Sequence, residues 1–250
     1  MVATNRAAVP PLMRMASHPL RWAMLTELAT GDHRVRELAA AVGKPQNLVS
    51  YHLRLLRSAG FIDARRSTFD GRDTYYRLSL TNCAGAFGEA AAALHPALAP
   101  RPTTKPAPRS VLFLCTGNSA RSPMAQALLE KRGQGRIRTA SAGSHPKSHI
   151  HRNAIRVMRE LYGIDLGGQR PQPLAAVARR RFDYVITLCD KVREYAGEHG
   201  VATTTHWSVP DPSAALGGDG ASYAEFRRVA TELNSRIEFL LPVLNADARE

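Results

Sequence analysis

Long apolar runs are missing from this 250-residue chain. None approaches the ~20 residues that a helix needs to cross a bilayer, and the N-terminus lacks the charged-then-apolar layout of a secretory signal. Both absences predict a cytoplasmic chain with no membrane partner. Cysteine is scarce as well. Three thiols, Cys83, Cys115 and Cys189, without regular spacing make no disulfide framework, and a reducing compartment suits a thiol nucleophile. Acidic residues are in deficit, 21 against 34 Lys and Arg, for a net charge of +13. That excess is spread over both halves, so charge alone nominates no nucleic-acid-binding face. The length allows one large or two small domains, each able to bury a core.

What is present centres on Val111 to Glu130, VLFLCTGNSARSPMAQALLE. Val111 to Leu114 form an apolar run short enough for a buried strand, and Met124, Leu128 and Leu129 fit one face of a helix. Between them lies Cys115-x5-Arg121. Gly117 and Asn118 can take the positive φ of a tightly curled loop, and Ser122 and Pro123 fit a helix start. A loop of inward-facing N–H groups feeding a helix N-terminus is an anion site before any side chain is added. Thr116, Gly117, Asn118, Ser119, Ala120 and Ser122 are therefore the expected oxyanion cradle. Arg121 adds a planar fork matched to two oxygens of phosphate or arsenate. Cys115, at the bottom of that positive field, is favoured as thiolate and hence as nucleophile.

In chain order, apolar residues at Leu12, Met13, Leu20, Met24, Leu25 and Leu28 recur at helical intervals, broken by His18-Pro19. The pattern predicts a short helix, a break, and a second helix from about Pro19 to Leu28. Gly31-Asp32 is a turn, Val35 to Val42 a brief amphipathic helix ended by Gly43, and Pro45 to Ser58 the next, with Leu48, Val49, Leu53, Leu55 and Leu56 mostly inward. Two short helices around a tight turn make a helix-turn-helix. Gln46, Asn47, Ser50, Tyr51 and His52 lie in the first turns of the second helix, where base edges and phosphates are met, with Arg54 further along. Phe61 to Asp63 and Thr74 to Leu78 read as two strands with Asp70-Gly71 between them. Arg65, Arg66, Arg72 and Arg77 make this hairpin a basic wing able to track phosphates.

Asn82 to Leu98 is alanine-rich and helical in pattern. Ala99 to Arg109, with four prolines (APRPTTKPAPR), is a semi-rigid linker. The expected domains are 1–98, the linker 99–109, and 110–250. Beyond the anion loop, strands are expected at Ile137 to Ala142, Tyr184 to Leu188 and His206 to Val209. Helices are expected at Ile150 to Leu161, Leu174 to Arg180 and Glu225 to Leu244. The fold class is two domains: a mainly α winged helix-turn-helix, then an α/β domain with a parallel sheet. The anion loop should lie outside the carboxyl ends of its strands. Cys83 with His95 supplies too few ligands for a soft metal, and His145, His149 and His151 lack a carboxylate or thiol at ligand spacing, so no metal site is expected.

CTGNSARS at Cys115 to Ser122 resembles the low-molecular-weight tyrosine phosphatase family, and its arsenate reductase branch in particular. The Pro-Met that follows is closer to the phosphatase form. The likeness continues through SAGSHP (Ser141 to Pro146), GIDLGGQRP (Gly163 to Pro171), FDYVITLCD (Phe182 to Asp190) and HWSVPDP (His206 to Pro212). In the amino-terminal half, HPLR, VRELAAAVG, VSYHLRLLRSAG and DTYYRLS, from His18 to Ser79, resemble the ArsR-type winged-helix repressors. The paired cysteines by which many of those repressors sense metalloids are absent from VRELAAAV.

The resemblance implies that Asp211 is the general acid beside Cys115. It implies that Cys189 is the second thiol of a two-electron reduction of arsenate to arsenite. The position of a third cysteine in the thioredoxin-linked branch is held by Ala196. No bound cofactor is implied. The implied reductant is external: thioredoxin, a mycoredoxin- or glutaredoxin-like protein, or a low-molecular-weight thiol. The implied partners are double-stranded operator DNA, arsenate or phosphate, a redox partner, and a second copy of the chain through the helix after the wing. The expected function is an arsenate reductase fused to a DNA-binding regulator of arsenic-resistance genes. A phosphatase and a non-catalytic oxyanion sensor are the alternatives.

Overall fold

A computed structural model describes residues 9–67, 71–95, 109–177, 179–199, 201–215 and 219–246. Its contacts divide the chain into two units, 1–66 with 73–102, and 67–72 with 103–250.

In the first unit, α1 (Pro11–Ala16) ends at Ser17 and α2 (Pro19–Thr30) begins after His18, whose Nδ1 accepts from the Leu20 amide. The break falls at His18-Pro19, as the sequence requires. A strand the sequence did not announce, β1 (His33–Arg34), leads into α3 (Val35–Ala41), followed by α4 (Gln46–Ser58). The wing is β2 (Ile62–Arg66) paired antiparallel with β3 (Thr74–Leu78), and β1 adds to the other edge of β3. Two residues are too short to carry an alternating pattern, which is why β1 escaped notice.

Arg34 fixes this corner. Its amide donates to Glu37 Oε2 (2.8 Å), and its guanidinium donates to Glu37 Oε1 (2.7 Å) and to Asp73 Oδ2 (3.0 Å). The helix after the wing, α5 (Leu80–Leu94), begins two residues before the expected start. The core is Leu12, Met24, Leu25, Leu28, Leu38, Val49, Leu53, Leu56, Phe61 and Ile62. Leu48 and Leu55 are not part of it: Leu48 is exposed and Leu55 half-buried, because Val49, Leu53 and Leu56 already define the inward stripe of α4. Asp70 of the wing turn, residues 96–98 of the expected helix, and 99–108 of the linker lie outside the described residues.

The second unit alternates strand and helix: β4 (Arg109–Cys115), α6 (Arg121–Gly133), β5 (Ile137–Gly143), α7 (Arg152–Tyr162), β6 (Tyr184–Thr187), α8 (Asp190–Glu198), β7 (Thr205–His206) and α9 (Asp219–Ala246). The sheet order is β5-β4-β6-β7 with every pair parallel. The chain steps from β4 to one side and then crosses to the other, so a switch point opens at the carboxyl end of β4, where doubly wound sheets bind ligands. Cys115 is the last residue of that strand. Phe226, Val229, Leu233, Ile237 and Leu244 of α9 are fully buried. Each is worth roughly 1.5–3 kcal/mol against exposure, enough to hold a long helix on the domain.

Two expectations fail here. Leu174 to Arg180 is not a helix but a single 3-10 turn, Leu174–Ala176. Val177 is buried, but Arg179, Arg180 and Arg181 follow with no apolar face to continue the stripe. The strand expected from His206 to Val209 pairs only at Thr205–His206, after which single amides, Trp207 to Thr187 O (2.8 Å) and Val209 to Leu188 O (3.3 Å), carry the chain along the sheet edge. Helix α8 was not anticipated at all.

Candidate active site

The loop between β4 and α6 is shaped by its neighbours. Asn118 takes the left-handed conformation, φ 44°, whereas Gly117 does not, so the positive φ expected of both falls on the asparagine. Asparagine tolerates it because its short amide can satisfy local partners. Here Nδ2 donates to Ser122 Oγ (2.8 Å) and Ser141 Oγ (2.9 Å), and Oδ1 accepts from the Gln172 amide (2.6 Å). Gly143, at the end of β5, is needed for a different reason. A Cβ there would sit 2.6 Å from Thr116 O and 3.0 Å from Asn118 Cβ.

The segment after β5 is strapped to the outside of the loop. The amides of Ser144, His145, Lys147 and His151 donate to the carbonyls of Cys115, Thr116, Gly117 and Ser119 at 2.8–3.3 Å. With those carbonyls engaged, no backbone hydrogen bond among the described residues draws on the amides of Thr116 to Ala120. They are spare donors at a helix start, the condition for anion binding. The cavity they border is about 250 Å³ and is lined by Cys115, Thr116, Gly117, Ser119, Ala120, Arg121 and, from other segments, His145, Lys147, Asp211 and Ser213.

At its base, Cys115 Sγ is 3.0 Å from Ser122 Oγ. Burial, with Cys189 adding to it, leaves the Cys115 thiol above its ordinary value in the empty site, against the thiolate expected from the sequence; the Arg121 guanidinium and the Ser122 hydroxyl and amide offset the rise only in part. Arg121 is itself buried. It donates from one NH to Val209 O (3.1 Å) and from the other to Asp211 Oδ2 (3.0 Å). Asp211 Oδ1 accepts from the amide and hydroxyl of Ser213 (3.0 and 2.7 Å). Burial raises the Asp211 carboxyl, but Arg121, Ser213 and Lys147 outweigh it and hold the group below the usual carboxylate range.

Cys189 lies behind Thr116, its Sγ 3.3 Å from Thr116 Oγ1, and is buried. It lines an adjoining hollow of about 500 Å³ that shares Thr116, Arg121 and Asp211 with the first. Three of the four residues expected to do chemistry thus face one cavity, and the fourth faces its neighbour. Ala196 is fully buried in α8. Burial pushes the third thiol, Cys83 in the first unit, up to about 11.

Asp190 went unremarked in the sequence. It is buried at the start of α8, accepts from Ser208 Oγ (2.5 Å), and shares Oδ1 with His206 Nε2 (3.2 Å), while His206 Nδ1 reaches Thr187 Oγ1 (2.8 Å). This network ties the residue after Cys189 to the segment that carries Val209 and Asp211, and so sets where Arg121 finds its partners. The available signal was a polar triplet, Thr187, Asp190 and His206, inside otherwise apolar strand ends. His151, one of three loop histidines, caps α7 and stacks on Phe226.

In the first unit, Gln46, Asn47, Tyr51 and Arg54 are exposed on α4 and Ser50 is half-buried. On the wing strand Arg65 is half-buried and Arg66 exposed; Arg72, in the short segment that divides with the second unit, is exposed. His52 is a correction to the base-facing set. It is 5% exposed, with its ring 4.6 Å from that of His18, because it shares the inward stripe of Val49, Leu53 and Leu56 at helical spacing.

Residues 110–250 match the family model described as low molecular weight phosphotyrosine protein phosphatase, and residues 18–64 match that of bacterial regulatory proteins of the arsR family. The chain is 35% identical over 133 residues to an arsenate reductase of Halalkalibacterium halodurans, covering 51% of this chain and 91% of that one. An arsenate reductase of Brevibacillus brevis is 33% identical over 133 residues, covering 52% and 92%. A glutaredoxin arsenate reductase of Synechocystis is 33% identical over 134 residues, covering 53% and 96%.

Proposed function

The chain belongs, through residues 110–250, to the low molecular weight phosphotyrosine protein phosphatase family, and from that premise we propose that it is a thiol-dependent arsenate reductase joined to an operator-binding winged helix. The observation that carries the proposal is the meeting of Cys115, Arg121 and Asp211 at one cavity with room for a tetrahedral oxyanion, with a second thiol, Cys189, on the next.

The loop amides and Arg121 hold the oxygens of arsenate. Cys115 Sγ bonds to arsenic as one arsenic–oxygen bond breaks, and Asp211 gives the departing oxygen its proton, so that water leaves. In the empty site Arg121 keeps Asp211 ionised. A dianion that takes up the guanidinium charge lets the carboxyl rise toward its proton-bearing form. Cys189 then attacks the Cys115 sulfur. The sulfur–arsenic bond breaks with its electron pair left on arsenic, which departs as arsenite, and the two cysteines end as a disulfide. An external dithiol, or two molecules of a monothiol, returns the two electrons by thiol–disulfide exchange and is itself left as a disulfide.

Gln46, Asn47, Ser50, Tyr51 and Arg54 address the major groove, with Arg65, Arg66 and Arg72 on phosphates. Two copies joined through α5, whose Phe87 and Leu94 are exposed, present two such helices to an operator of arsenic-resistance genes.

One observation favours a second reading. Ala196 leaves the site with two cysteines rather than three, and a phosphatase needs only Cys115, Arg121 and Asp211. Arsenate-dependent consumption of reducing equivalents, assayed beside hydrolysis of 4-nitrophenyl phosphate, separates them. Consumption should vanish in Cys115→Ser and drop to background in Cys189→Ser. Turnover retained in Cys115→Ser would end the proposal. Ester hydrolysis that survives Cys189→Ser, with no arsenate-dependent thiol oxidation in wild type, would install the phosphatase.

A further inference from the structure

Gly117 is a glycine without a positive φ, and its own conformation leaves that unexplained. A Cβ on Gly117 would stand 3.3 Å from Ser119 Oγ and, at ordinary contact distance, 3.4 Å from Lys147 Cγ and 3.7 Å from Lys147 Cε. The Lys147 stem is therefore laid across the face of the loop that a side chain would occupy. Its backbone is pinned there too, since the Lys147 amide donates to Gly117 O (2.9 Å). The residue lines the same cavity as Cys115 and Arg121, and its charge is felt at Asp211. It makes no ion pair among the described residues. The rim around it is His145, Asp211 and Ser213; among the described residues no phenylalanine, tyrosine or tryptophan lines this cavity, and Tyr195 packs edge-on behind His145 with ring centroids 5.9 Å apart.

We propose that Lys147 is a specificity-determining residue that pairs with the outward oxygen of a free inorganic oxyanion and so favours such ions over aryl esters. The assignment rests on the oxyanion-binding role given to the Cys115 loop above. A tetrahedral guest held by the loop amides and Arg121 offers three oxygens inward and one to the mouth. In phosphate or arsenate the fourth is a charged or hydroxyl oxygen that an ammonium can meet. In an aryl ester or arylphosphonate that corner carries a ring, which gains nothing from a cation held in its path by a fixed backbone. Among the described residues the one ring on the rim is the His145 imidazole, a smaller and more polar face than a phenyl or indole.

The test reads binding and not turnover. Alkylation of Cys115 by iodoacetamide, followed by peptide mass, is measured in the full chain against increasing inorganic phosphate or phenylphosphonate, at low and high ionic strength. Wild type should be protected by phosphate. Lys147→Met, which keeps the stem and drops the charge, should need roughly fivefold more phosphate at low salt, the scale of one exposed charge pair. The difference should shrink at high salt, and Lys147→Arg should restore protection. Phenylphosphonate should protect Lys147→Met at least as well as wild type. Equal phosphate requirements in wild type and Lys147→Met, or equal weakening for both ligands, would overturn the role of Lys147 while leaving the loop as the oxyanion site. Failure of both phosphate and phenylphosphonate to protect wild type would remove the oxyanion site itself, and Lys147 with it.

Discussion

The loop after β4 and the exposed face of α4 are both built to meet phosphate-like oxygens, and they are built in opposite ways. The loop is an interior. Asn118, Arg121 and Ser122 are buried, and their partners come from β5, from Gln172 and from Val209 and Asp211. The face of α4 is a surface, where Gln46, Asn47, Tyr51 and Arg54 stand exposed on a scaffold whose packing is done by Val49, Leu53 and Leu56. A site that must hold one small ion at one sulfur spends fold stability on geometry. A site that reads a long polyanion spreads its contacts, since each phosphate contributes a similar share. The first should fail all at once, the second by degrees.

Asn118→Ala should show the first kind of failure. It strands the Gln172 amide, takes the amide donor away from the hydroxyls of Ser122 and Ser141, and puts a Cβ-bearing residue without a local acceptor at φ 44°. The second unit should lose about 3 kcal/mol of unfolding free energy in urea, and phosphate protection of Cys115 should be lost with it. Asn118→Gly relieves the backbone but not the hydrogen bonds, and should recover only a minor part. Near-native stability in Asn118→Ala would mean that the loop is held mainly by the backbone strap from Ser144 to His151.

Arg54→Ala should show the second. Operator affinity should fall by roughly tenfold or less, nearly equally on specific and random duplexes, with the salt slope reduced by about 0.9 for one lost phosphate contact. Urea stability and phosphate protection of Cys115 should not change. A selective loss on operator alone would move Arg54 from backbone tracking to base reading.

The same contrast explains what was legible beforehand. Cys115, the loop, Arg121 and the α6 start are contiguous in sequence, so strand, curl and helix could be read as one object. The helices of the first unit were equally plain, because each carries its own apolar stripe. What the chain hid was non-local. Gly143 matters because β4 and β5 pair in parallel with Cys115 opposite it, and Lys147 because the next segment folds back on the loop. Asp190 matters because β6 and β7 end side by side. None of these follows from a residue's own neighbours. The failed helix at Leu174 to Arg180 has the reverse cause: a local apolar pair looked sufficient, and three arginines offered no face to bury.

His52 offers the smallest effect and the cleanest test of which face of α4 is which. Its Nδ1 is buried without a hydrogen-bond partner among the described residues. Burial, with His18 and Arg21 nearby, lowers its pKa from the ordinary 6.5. A histidine kept neutral in the fold but free to protonate when unfolded leaves stability intact above pH 6.5 and erodes it as the pH falls below, by at most ~1.4 kcal/mol per pH unit. Trp22, in the first unit, reports its unfolding once Trp207 is replaced by Phe. In that background urea midpoints should drop between pH 6.5 and 5, and His52→Leu should flatten much of the drop. Operator affinity at pH 8 should be the same in both. Were His52 a base-facing residue, the outcome would invert: the acid drop would be unaltered by the leucine, and operator binding would weaken at every pH.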